Sequence, residues 1–320
     1  MANTARLTVL GSLNMDISVT VPALPGPGET VLGGSAVTAP GGKGANQAVA
    51  MARLGAHVRL VGCVGDDDFG RAMRATLRAE GVDGDAVRTV PHAATGMALI
   101  TVDQAGENII TVAPGANREV GTAEVAACQD AGDALVISAE IPVPAILDAL
   151  DVVARTAGAR PLTILNLAPA PPAPGELVKV GPDWLVVNES EASAILSRQV
   201  AGLDGAAAAA ANLVAAGAAN AVVTAGAAGA AYCGRGPARS NSLTSSFTVA
   251  GFRVVAVDTV GAGDAFVGAL AVTLAAGLGP RAAVLAAAAA GAAAATRLGT
   301  QPGMPRPADV GAVTGHHWPL

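Results

Sequence analysis

The sequence predicts an α/β protein: a mostly parallel sheet with helices on both faces, plus a small β-sheet lid. Three observations predict it. After Asn117, short apolar runs alternate with helical stretches, the rhythm of strands joined by crossover helices. Before Asn117, two hairpin-like regions break that rhythm, which makes them an appendage inserted into the body. Hydrophobic residues are 52% of the 320, while aromatics are only 2%, so Ala, Val, Leu and Gly must fill a large core.

Arg6 to Leu10 (RLTVL) is a β-rich run stopped by Gly11, a central strand followed by a turn. From Asp16 to Thr38, turn signals at Pro22, Pro25 to Gly28 and Gly33-Gly34 punctuate an alternating pattern, which favours hairpin strands over helices. Gly44 to Leu54 has helical periodicity, closed by Gly55. Val58 to Val64 is another short apolar run, and Phe69 to Glu80 an amphipathic helix. Met97 to Val102 and Asn108 to Val112 flank Asp103 to Gly106 as a second hairpin, which puts the lid strands at about 14–38 and 95–113. The later strands are Ala134 to Ser138, Leu162 to Asn166, Trp184 to Val187 and Ala221 to Thr224, with the Ala-rich Gly205 to Ala216 among the helices between them. No polar, Pro/Ser-rich linker divides the chain, so residues 1–320 read as one domain.

Composition narrows the function. With 19 basic against 25 acidic residues and no Lys/Arg cluster, nothing offers a footprint for nucleic acid. Mean hydropathy is +0.49, yet the longest apolar stretches, Ala265 to Leu278 and Ala282 to Ala295, fall short of the roughly 20 residues a membrane span needs. They read as buried helices, with no membrane partner. Cys63, Cys128 and Cys233 are widely spaced and odd in number, as in a reducing cytoplasm. The N-terminus shows no basic segment followed by an apolar one, so no secretory signal is expected.

Four segments carry candidate chemistry. In Asp258-Thr-Val-Gly261-Ala262-Gly263-Asp264, a Val-rich run (Val254 to Val257), read as a strand, leads through a small-residue turn into an apolar helix. Free amides and a helix dipole there suit a phosphoryl group. Asp264 beside them is either a base for an attacking hydroxyl or a plain helix cap. Gly41-Gly42-Lys43-Gly44-Ala45-Asn46 lacks the phosphate-loop pattern, because position 37 is Val and Lys43 precedes Gly44. Its paired glycines let the backbone approach a polyhydroxyl ligand, with donors from Lys43 and Asn46, or they make a simple strand-to-helix turn. The Gly261 segment likewise lacks G-x-G-x-x-G, since Phe266 stands last, and a dinucleotide oxidoreductase is disfavoured. Asn14 and Asp16, two apart on an extended segment, point the same way toward vicinal hydroxyls, with an Asx turn as the plain alternative. Asn188 to Glu191, at a strand end, offers oxygens to hydrated Mg²⁺ or simply starts a helix.

These segments, together with PGET (Pro27 to Thr30), VGDDDFG (Val64 to Gly70), TGMALI (Thr95 to Ile100), GEN (Gly106 to Asn108), GAN (Gly115 to Asn117), LNLAPA (Leu165 to Ala170) and GTQPGMP (Gly299 to Pro305), occur in an order that resembles the ribokinase branch of the PfkB carbohydrate-kinase family. GGKGANQA and DTVGAGDAF are the specific pieces. The resemblance implies a Rossmann-like body whose lid closes over the sugar and forms a homodimer contact. It implies phosphorylation of D-ribose at O5 by ATP, with a sibling kinase for another sugar or a nucleoside, or a non-catalytic sugar sensor, as alternatives. The few aromatics disfavour a nucleoside.

By the same resemblance, Asn14, Asp16, Gly42, Lys43, Asn46 and Glu140 bind sugar, Asp264 is the base, and Gly261, Ala262 and Gly263 form the anion hole. Asn188, Thr224, Gly226, Ala227, Ala228, Gly229 and Gly263 serve ATP, with Mg²⁺ near Asn188 and Glu191. K⁺ as activator is implied at Asp258, Val260, Ala294, Arg297, Gly299 and Gly303. Three positions depart from the pattern. Ala225 to Gly229 lacks the family's hydroxyl, Ala288 replaces a polar residue near adenine, and Gly303 stands where Ser is usual.

Overall fold

The computed structural model describes residues 4–156, 158–235, 245–315 and 317–319. Its first half runs β1 (Arg6–Leu10), β2 (Asn14–Thr20), β3 (Val37–Gly41), α1 (Lys43–Arg53), β4 (His57–Gly65), α2 (Asp68–Ala79), β5 (Val87–Val90), β6 (Gly96–Val102) and β7 (Asn108–Ala113). Then follow α3 (Thr122–Ala127), β8 (Ala134–Ser138), α4 (Val143–Ala154), β9 (Leu162–Asn166), α5 (Gly175–Lys179), β10 (Trp184–Asn188), α6 (Glu189–Leu196), α7 (Gly202–Ala216) and β11 (Asn220–Thr224). The chain ends with β12 (Gly229–Gly234), β13 (Ser245–Ala250), α8 (Ala262–Ala275), α9 (Pro280–Ala295), α10 (Thr300–Gly303) and α11 (Pro307–Thr314).

Nine strands form the large sheet in the order β13-β12-β11-β10-β9-β8-β1-β4-β5. Pairing is parallel from β11 to β5, and antiparallel only where β12 and β13 extend the edge. Its central strands are apolar on both faces, as burial between two helical layers requires. In β8, Ala134 and Val136 join one core with α1, α8 and α9, while Leu135 and Ile137 join the other with α4 and α7. β3-β2-β6-β7 make the separate small sheet, in which β2 and β6 run parallel between two antiparallel neighbours.

Two features depart from the sequence reading. Val254 to Val257 is not a strand. The chain leaves the sheet edge after β13, Val255 is 85% exposed, and the Val257 and Asp258 amides donate to Ala295 O at the end of α9. A Val-rich run makes a strand only where a neighbouring strand offers partners, and here a helix terminus took them. The strands that do extend the sheet include β12, whose GAAYCG lacks β-branched residues. It is held by Tyr232, which stacks on Phe247 (4.7 Å between ring centroids) and lies 5.4 Å from Trp184. The first lid segment is likewise redrawn: β3 runs to Gly41, and no strand occupies residues 21–36.

The two Ala-rich stretches are α8 and α9, and no helix among the described residues is long and apolar enough to cross a membrane. Small residues bring these helices close. A Cβ on Gly291 would lie 3.1 Å from Ala262 O, and one on Gly268 would lie 2.8 Å from Ala50 Cβ. The second approach presses α1 against α8 one turn beyond Asp264. All three cysteines are buried thiols.

Candidate active site

Glycine geometry builds one end of the site. Gly42 takes φ 88° just before α1, where a Cβ would meet Asn14 N at 2.5 Å. Gly44 lies so close to Gly11 that a Cβ would be 2.6 Å from the Gly11 carbonyl carbon. The start of α1 therefore rests directly on the turn after β1. Gly41 has its neighbour Asp16 overhead, since a Cβ there would fall 2.1 Å from the Asp16 carboxylate.

Around this turn the polar groups converge. Glu140 accepts from Ser12 Oγ (2.6 Å), Asn14 Nδ2 (3.3 Å) and Lys43 N (3.3 Å). Asn117 donates to Asn14 Oδ1 at 2.8 Å and also bonds both main-chain groups of Leu13, which fixes the start of β2. Burial lowers the Lys43 ammonium's proton affinity, but Asp264, Glu140, Glu191 and Asp16 together raise it above its ordinary value. Asp16 moves from 3.8 to about 7, through burial first and then Glu140 and Asp264, against Lys43. One cation thus serves four carboxylates in a half-dry pocket.

Asp264 is the third residue of α8 and is 6% exposed. It does not cap the helix: Gly261, at φ 83°, holds the capping position, and no side chain bonds there. Its oxygens face α1 instead, accepting from Asn46 Nδ2 and Gln47 Nε2, each at 3.0 Å. Gly261 packs tightly on the start of α10, where a Cβ would meet Thr300 Cγ2 at 2.8 Å. Ala262 and Gly263 open onto a cavity of about 890 Å³.

That cavity is lined by Asn188, Thr224, Gly226, Ala227, Gly229 and Gly263, with Ala288 and Gly291 from α9. Ala228, between Ala227 and Gly229, is not itself among the lining residues, and its carbonyl accepts from Gly251 N at 3.0 Å. Gly251, Phe252, Arg253 and Ala256 also line the cavity, a wall the strand reading of Val254 to Val257 concealed. Ser12, Gln47, Asn117 and Asn166 also reach the site, beyond the residues the sequence singles out. Asn117 and Asn166 lie within the GAN and LNLAPA segments, but their partners come from distant elements and no local pattern announces them.

Asn188 and Glu191 form a reciprocal cap on α6. Asn188 Oδ1 accepts from Glu191 N at 2.9 Å, and Glu191 Oε2 accepts from Asn188 N at 2.8 Å. Burial above all, with help from Asp264, raises the Glu191 carboxyl against the Asn188 amide and Lys43. A desolvated carboxylate with a second oxygen outside the cap is a hard donor suited to Mg²⁺. The proposed K⁺ positions also converge. Asp258 accepts from Val260 N (3.0 Å) and Gly299 N (2.9 Å). The missing side chain of Gly303 leaves a cradle in which a Cβ would lie 3.5 Å from Ala294 O and 3.6 Å from Arg297 O. Such carbonyl oxygens suit a hard cation, while the Arg297 side chain turns away to Asp309.

A buried acid held by amide donors beside a glycine turn and a nucleotide-sized cavity suits phosphoryl transfer to a hydroxyl. The pattern of the pfkB family carbohydrate kinases matches residues 4–307, and the chain belongs to that family. It is 36% identical to a ribokinase of Bacillus subtilis over 304 residues, covering 94% of this chain and 96% of that one. A deoxyribokinase of Salmonella typhi is 32% identical over 268 residues, 83% of this chain and 84% of the other. The fold superposes with a TM-score of 0.84 on an Arabidopsis thaliana ribokinase complexed with ribose and ATP, at 28% identity over 97% of this chain and 99% of that one.

Proposed function

We propose that this protein phosphorylates D-ribose at O5 with ATP, giving ribose 5-phosphate and ADP, and that Asp264 is the general base. The observation that carries the reading is the setting of Asp264: buried, unused as a cap, and next to the amides of the Gly261–Gly263 turn. The Bacillus subtilis relative and the ribose- and ATP-bound Arabidopsis thaliana structure support ribose as the acceptor.

In this reading Asn14, Asp16, Gly42, Lys43, Asn46 and Glu140 hold the sugar hydroxyls. Asp264 takes the proton of the attacking hydroxyl as the γ-phosphoryl group transfers in line. Charge on the migrating group is met by the Gly261, Ala262 and Gly263 amides and by Lys43. Thr224, Gly226, Ala227, Ala228 and Gly229 flank the nucleotide. Glu191 and Asn188 would hold Mg²⁺, whose chemistry is to neutralise phosphate charge. Asp258, Val260, Ala294, Arg297, Gly299 and Gly303 would hold K⁺, which stiffens the loop ahead of the anion hole.

The chain works as a single unit, its small sheet closing over the sugar to exclude water. That sheet is also the homodimer contact, and the buried thiols fit a cytoplasmic enzyme. ADP release measured over pentoses (2-deoxyribose included), hexoses and nucleosides, with and without K⁺, tests the proposal. Ribose leads the panel and K⁺ raises its rate. A flat response, or a lead for another acceptor, overturns the assignment to ribose.

A further inference from the structure

The chemistry above leaves one neighbour of Asp264 without a role. Gln47 is fully buried, and its Nε2 donates twice: to Asp264 Oδ1 at 3.0 Å and to Asn166 Oδ1 at 2.9 Å. A side-chain amide can present either its NH₂ or its oxygen, so its neighbours must decide which end meets the carboxylate. Here the decision starts at a group with no choice. The Val186 carbonyl in β10 can only accept, and Asn166 Nδ2 donates to it at 3.2 Å. Asn166 Oδ1 is thereby turned toward Gln47. That oxygen too can only accept, so Gln47 offers its NH₂ to Asn166 and Asp264 together. Gln47 Oε1 is left buried with no donor among the described residues, a cost the fold bears to keep both N–H groups on one side.

We infer that Gln47 is a positioning residue for the phosphoryl-transfer base, its donor end locked onto Asp264 by a relay from the Val186 carbonyl through Asn166. The inference rests on the reading of Asp264 as that base. With Oδ1 tied down from the Gln47 side, the carboxylate cannot swing, and Oδ2 stays on the Asn46 side, where the sugar contacts cluster. The two N–H groups aimed at Asp264 leave its oxygens the role of acceptors amid other charges. Those charges are Lys43 from α1, Asp16 from β2 and Glu191 from α6, with Glu140 acting on Asp16 and Lys43.

The test is kcat against pH at saturating ribose and ATP, with ribose KM and a thermal melt on the same samples. Gln47→Glu exchanges the donor for an acceptor at nearly constant volume and leaves the other charged groups in place. It should lower kcat about 100-fold near neutral pH and move the acidic limb of the profile to higher pH. Ribose KM should stay within about threefold of wild type, as for an interaction felt in the transition state. Gln47→Leu, which removes the donor without adding charge, should cost about tenfold in kcat. Asn166→Leu leaves Gln47 free to turn and should fall between wild type and Gln47→Leu. A purely structural role would lower the melting temperature but leave the acidic limb in place. Asp264→Asn in the same assay separates the two readings. Near-normal turnover in that variant shows the base itself to be misassigned. If Asp264→Asn is inactive while folded position-47 variants keep the wild-type kcat and profile, the role of Gln47 alone is overturned.

Discussion

Asp16 shows how single residues here serve opposed demands. Burial, Glu140 and Asp264 bring its carboxyl to about 7, so the ligand-free protein holds a proton there that the unfolded chain releases near 3.8. The folded state binds more protons across that window, so this group's stabilisation is complete below 3.8 and is lost as pH rises through 7. Sugar hydroxyls are donors and prefer the ionised carboxylate. Ribose affinity, measured by calorimetry, should therefore rise about tenfold between roughly pH 6 and pH 8. Asp16→Asn should flatten that dependence, bind ribose more weakly, and be more stable than wild type at roughly pH 8 without sugar, on the order of 1 kcal/mol. The pairing of Asn14 with Asp16 could be read from their spacing. That Asp16 lies over Gly41 and shares its field with Glu140 could not, because Glu140 arrives from the far end of β8.

Among the elements, α1 does the most joining. Its first turns carry Lys43, Asn46 and Gln47 to Asp264, and its last residue, Arg53, ties down α10 on the other side of the Gly261–Gly263 turn. Arg53 pairs with both Glu80 oxygens (2.8 and 2.7 Å) and donates to the carbonyls of Gln301 (2.8 Å), Pro302 (3.2 Å) and Met304 (2.8 Å). Thr300 in α10 and Met304 just after it are what Gly261 packs against. Arg53→Ala leaves Glu80 and several carbonyls unpaired, and urea unfolding should show a loss of about 3 kcal/mol. Arg53→Lys recovers only part of it, since an ammonium cannot form the bidentate pair. Helical periodicity located α1 to within a residue. Nothing local marked Arg53, because its partners are 27 and about 250 residues away.

At the scale of the whole molecule, the small sheet has one face that carries Asp16 and one opposite it. Strand alternation puts Leu99 and Ile109 on the face opposite Asp16, and they are 48% and 49% exposed. Exposed apolar side chains on a four-stranded sheet favour pairing with a second copy. Sedimentation should find a dimer, and Leu99→Asp with Ile109→Asp should yield a monomer with weaker ribose binding. A wild-type monomer at micromolar concentration would remove the lid from the interface.

Legible along the chain were the alternation that makes a parallel sheet, the appended β strands and the glycine turns at Gly42 and Gly261. These are properties of near neighbours, set by side-chain period and backbone freedom. Tertiary structure decided the fate of Val254 to Val257, the strand character of Gly229–Gly234, and the company kept by Asp264. Each depends on which distant group supplies a hydrogen-bond partner. The Ala295 carbonyl claimed one segment, the β11 and β13 ladders claimed another, and a close crossing of α1 and α8 at Gly268 delivered two amides to a buried acid.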